Sequence, residues 1–99
     1  MSEGLRAELA AMVEPAVWTW LLPHLSRDAV VVVHEGLDLV EVGVAIATDQ
    51  TPAVERWIGE QLITKPTKPQ IEDWSRAENK RFRALIVQPY VLVQDNWAA

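Results

Sequence analysis

The stretch "LIVQPYVLVQ", Leu85 to Gln94, decides the fold. It is almost wholly apolar, with Gln88 and Pro89 at its centre. A proline inside a helix removes a hydrogen bond and clashes with the preceding turn, and the flanking valines favour extended backbone. As one strand, Leu85, Val87, Pro89, Val91 and Val93 point to one face, and Ile86, Gln88, Tyr90, Leu92 and Gln94 to the other. Both faces are mostly apolar, so both need cover. Pro89 cannot donate to a ladder, so one side of the strand is open there, or the strand bulges. The alternative is a bend at Gln88–Pro89 that makes two short strands of one sheet. An apolar strand with an open edge invites a partner. The segment 85–94 is therefore expected to mediate a homodimer, with Gln88, Pro89 and Tyr90 at the contact.

The elements before it follow from periodicity. Leu5, Leu9, Met12 and Val13 share one helical face. Pro15 ends that helix and opens the next, where Trp18, Leu21, Leu22 and Leu25 recur at i, i+3, i+4 and i+7. Pro23 should kink or shorten this second helix. "AVVVV", Ala29 to Val33, reads as an interior strand with both faces buried. "LDLVEVGVAIATD", 37–49, is ambiguous. Its valines favour a strand, but Asp38, Glu41, Thr48 and Asp49 lie near one helical face. Asp38 followed by Glu41 resembles a capping box, so a helix is expected. Thr51–Pro52 opens another helix to about Gln61, with an apolar stripe of Val54, Trp57 and Ile58. Leu62–Thr64 reads as a short strand and 69–79 as a helix carrying Ile71 and Trp74 inward. The last strand region starts near Phe82. The expected fold is α+β, a single domain over 1–99, with helices packed on a short, mostly buried sheet in the order α-α-β-α-α-β-α-β.

Composition narrows the function classes. The chain has 99 residues and 49% apolar content, which suits one folded domain rather than a disordered segment. It contains no cysteine, which excludes disulfides, thiolate catalysis and cysteine-based zinc sites. No secretory signal is visible at the N-terminus, and no apolar run approaches the roughly 20 residues that span a bilayer. A cytoplasmic protein without membrane attachment is expected. The net charge is −5, concentrated in residues 1–50, where two basic residues face eight acidic ones. An acidic surface repels phosphates, so nucleic acid is not an expected partner. The cluster Lys80, Arg81 and Arg83 reads as a solvated helix-to-strand junction.

"LDLVEVGVA" at 37–45 and "LIVQPYVLVQ" at 85–94, in this order and spacing, resemble the two marks of a small bacterial family of domains of unknown function. Trp18, Leu21, Trp57 and Trp74 fall at that family's other marked positions, so the resemblance spans nearly the whole chain. Two positions depart from it. Tyr90 stands where the family more usually carries Trp, and Met12–Val13 stand where it often has an acidic residue followed by Thr. The resemblance implies a stand-alone bacterial cytosolic domain and carries no activity, cofactor or catalytic residue.

The best polar cluster in the sequence is His34, Glu35, Asp38 and Glu41, between an apolar strand and a helix. Strand ends and helix N-termini are frequent binding sites in α/β folds, and a carboxylate–imidazole set suits a divalent metal or a small molecule. The simpler reading has Asp38 capping the helix, Glu41 as its capping-box partner and His34 in a turn. No second histidine lies at ligand spacing, and Ser2, Ser26 and Ser75 do not sit in a nucleophile elbow. No convergent acid, base and nucleophile can be assembled, so an interaction domain without a cofactor is expected rather than an enzyme. Trp18, Trp57 and Trp74 sit at apolar helical positions and read as core. Trp20 faces away from its helix's apolar stripe and Trp97 follows the last strand, so both are interface candidates for a second copy or another protein.

Overall fold

Helix starts are written locally in this chain. Asp38 precedes a helix and its Oδ1 accepts the backbone N–H of Val40 at 2.9 Å and of Glu41 at 3.4 Å. Thr67 and Gln70 form a reciprocal capping box, the Gln70 N–H donating to Thr67 Oγ1 at 3.3 Å and the Thr67 N–H to Gln70 Oε1 at 2.9 Å. The computed structural model describes residues 2–77 and 80–95. In chain order these form α1 (Ser2–Met12), β1 (Glu14–Val17), α2 (Trp18–Ser26), β2 (Val30–Val33), α3 (Leu39–Ala47), α4 (Thr51–Gly59), β3 (Ile63–Thr64), α5 (Lys68–Arg76), β4 (Arg81–Val87) and β5 (Tyr90–Gln94). The fold is α+β, as its sequence implies. The ambiguous stretch 37–49 is helical, and its cap is Asp38.

The element order departs from the expected one in two places. Pro15 does not join two helices. It lies in β1, which pairs antiparallel with β4 (Pro15 opposite Arg83) and forms one end of the sheet. An edge strand tolerates a proline because its missing N–H can face away from the ladder. The stretch 85–94 is also not one strand. It bends at a two-residue turn, with a cis peptide bond between Gln88 and Pro89, and Val87 pairs with Tyr90 across that turn.

The five strands form one mixed sheet in the order β1-β4-β5-β2-β3. β5 pairs parallel with β2, and the other neighbours are antiparallel. Alternation sends Leu85, Val87, Leu92, Val33 and Ile63 to one face, where α1, α3 and α4 cover them with Leu9, Val42 and Trp57 among others. Phe82, Ala84, Val91, Val93 and Val30 point to the opposite face, under α2 and α5. There Trp74 bridges Trp18 and Phe82, with ring centroids 6.5 Å and 4.8 Å away and edge-on geometry at both contacts. Both faces of β4 and β5 are thus covered by the chain's own helices. Neither apolar face of this stretch therefore needs a second copy to cover it.

The β4–β5 hairpin also lies inside the sheet, so Pro89 marks a turn and not a gap in a ladder. Within β4 one length is open. β1 pairs with β4 only from Arg81 to Ala84, and among the described residues no strand runs beside Leu85–Val87 on that side.

Candidate functional site

Three places could carry function. The first is the turn before α3. Asp38 is committed there: Oδ1 caps the helix and Oδ2 accepts from Arg6 of α1 at 2.6 Å. His34 is equally engaged. Its Nδ1 accepts the Gly36 N–H at 2.9 Å, and its backbone N–H donates to the Leu62 carbonyl at 2.7 Å. The buried Gln94 holds the turn from below, its amide donating to the carbonyls of His34 and Leu37. Glu41 is exposed in the first turn of α3, where a carboxylate suits the helix dipole. Glu35 is exposed at the loop tip. Among the described residues no three His, Asp or Glu side chains are grouped to hold a metal ion. The observed hydrogen bonds give Asp38 and His34 local structural work.

The second place is a groove at the β1 end of the sheet. It is lined by Met12, Pro15, Ala16, Trp20, Ala84 and Ile86, and encloses about 490 Å³. Met12 is 49% exposed and Trp20 38%, while Ile86 is half-buried. Trp20 packs at a tilt against His24 one turn later, with ring centroids 4.8 Å apart and planes 48° from parallel, and Arg27 donates to His24 Nδ1 at 2.7 Å. That contact fixes the indole against its own helix. Trp20 and the 84–86 part of the apolar stretch therefore share one surface, beside the open length of β4. Gln88 and Pro89 are exposed at the hairpin tip. Trp97 lies outside the described residues.

The third place was not legible in the sequence. A cleft of about 460 Å³ lies on the opposite face of the sheet, between α3, α4 and the β2–β3 end. Val31 and Ile63 line it from the sheet and Ala45, Ile46, Val54 and Ile58 from the helices. Tyr90 also borders it, which separates this residue from the Trp20 groove. Ile58 is 56% exposed, although the helical stripe Val54–Trp57–Ile58 predicts it inside. That exposure, invisible to periodicity, marks the cleft wall.

Among the described residues no helix is long and apolar enough to cross a membrane. No curated protein matches the chain. In fold it is similar to PA1075 from Pseudomonas aeruginosa, a structure solved in solution by NMR. That match has a TM-score of 0.80 and 28% sequence identity, over 96% of this chain and 87% of the other. The model of a family described as protein of unknown function, DUF2288, matches residues 4–95. With nearly its whole length matched, the chain belongs to the DUF2288 family.

Proposed function

We propose that the chain is a non-enzymatic interaction domain of the bacterial cytosol that self-associates through the β4 part of the 85–94 segment. The observation that carries this reading is one juxtaposition. The open length Leu85–Val87 lies beside a groove whose walls include the exposed Met12 and Trp20. A strand edge supplies backbone donors and acceptors, and flanking apolar side chains supply the area that makes pairing favourable. Two copies related by a two-fold axis present the same edge to each other, so one surface satisfies both. Complete absence of cysteine suits a reducing compartment. Tryptophan near the centre of an interface commonly contributes about 2 kcal/mol or more, which is roughly a 30-fold change in Kd.

Sedimentation velocity tests the reading. The wild-type chain is expected to sediment at twice its 11.1 kDa mass at tens of micromolar. Trp20→Asp should move the boundary to the monomer while leaving the thermal midpoint nearly unchanged, because the side chain is exposed. A wild-type chain that stays at 11.1 kDa at every concentration removes the proposal.

A further inference from the structure

The cleft between α3, α4 and the β2–β3 end has a size and chemistry that the self-association surface does not use. Its roughly 460 Å³ falls in the range of small-molecule sites, about 300–1,000 Å³. Its walls are mostly aliphatic, and its polar lining residues are Gln50, Thr51, Thr64, Tyr90, and one charge of each sign, Asp49 and Lys65. Lys65 is already paired with Asp28 at 2.5 Å. That leaves Asp49 as a rim carboxylate with no ion pair among the described residues, which disfavours an anion, while the aliphatic walls give a charged ligand no counter-charge at depth. An extended peptide is disfavoured as well. β3 has only two residues and runs into Lys65–Pro66, and short edge strands ending in lysine and proline resist strand addition.

We propose that this cleft binds a neutral, mainly apolar small molecule, with its apolar body against Val54 and Ile58 of α4 and one hydrogen-bonding group at the Tyr90–Thr64 rim. The exposed faces of Ile58 and Tyr90 are then covered in the bound state. They lie on either side of the cleft, and neither is needed to close the core. The inference is independent of the Trp20 groove, which lies on the other face of the sheet.

The test uses the intact chain and the neutral fluorophore N-phenyl-1-naphthylamine. Trp57, buried in α4 beside Ile58, serves as the energy-transfer donor. The expected result is saturable binding of one probe per chain. Ile58→Glu should weaken it by about tenfold or more, since a carboxylate at the wall must be desolvated. Ile58 is exposed, so this variant should fold, and an unchanged circular dichroism spectrum verifies that. Trp20→Asp should bind the probe as the wild type does. Non-saturable binding, or an Ile58→Glu variant that binds like the wild type, overturns the proposal. So does loss of binding in Trp20→Asp, which would place the probe in the groove. If Ile58→Glu instead turns a dimer into a monomer, the cleft is a contact between copies and the small-molecule reading fails.

Discussion

Gly43 shows how the lack of a side chain can let two elements pack together. It sits in the middle of α3, where alanine would normally stabilise a helix by up to about 1 kcal/mol. A Cβ placed there would lie 2.7 Å from Leu85 Cδ2 and 3.4 Å from Leu9 Cδ1 and Val87 Cγ2. Leu85 is fully buried, so it cannot swing away, and overpacking of this kind costs about 1–3 kcal/mol. Gly43→Ala is expected to lower unfolding free energy by about 1 kcal/mol in urea titrations, despite its better helix propensity. Asp38 is the opposite case, because its work is local and legible. The pattern of Asp followed by Glu at the third position announces a cap, and the structure has Asp38 capping α3. Asp38→Ala removes two capping bonds and the Arg6 contact, and should cost about 1–2 kcal/mol by the same titration. Most of that loss belongs to the cap, since an ion pair this exposed adds little. The contact between Gly43 and Leu85 joins residues far apart in the chain, and no local pattern announces it.

Helix ends were harder to read than helix starts. α2, α3 and α4 each finish with a residue in the left-handed region: Asp28 at φ 58°, Asp49 at 59° and Gln61 at 61°. Each end carries the same paired bonds, for α4 the Gln61 N–H donating to the Ile58 carbonyl and the Leu62 N–H to the Trp57 carbonyl. Glycine normally marks this position, and its absence from all three hides them in the sequence. Gln61→Gly is expected to raise the unfolding free energy by about 0.5–1 kcal/mol, because relief of left-handed strain outweighs the added chain entropy. Differential scanning calorimetry should show a correspondingly higher midpoint. The strands follow the same logic. β2 was legible as a β-branched run, whereas β1 has four residues and a proline and becomes a strand only because β4 lies beside it. A short strand defined by its neighbour leaves little trace in its own sequence.

At the scale of the whole molecule, the two apolar faces of "LIVQPYVLVQ" are covered from within, by three helices on one side and two on the other. What the fold leaves uncovered is smaller and more specific: the edge at Leu85–Val87 with the Trp20 groove, and the cleft beside Ile58. Neither was legible as a site, because the groove joins residues 11–20 to 84–86 and the cleft joins residues from 31 to 90. Trp20 was recognisable as an outward residue from its helical phase, but the surface it shares with Ile86 exists only after the sheet has formed. Self-association at that surface is the central claim. The most direct measurement is an isotope-filtered NOE experiment on a mixture of labelled and unlabelled chains. Intermolecular NOEs from the Met12 and Ile86 methyl groups to the Trp20 indole protons are expected. A spectrum with no intermolecular NOE at these groups, at concentrations where sedimentation gives twice the 11.1 kDa chain mass, would contradict it.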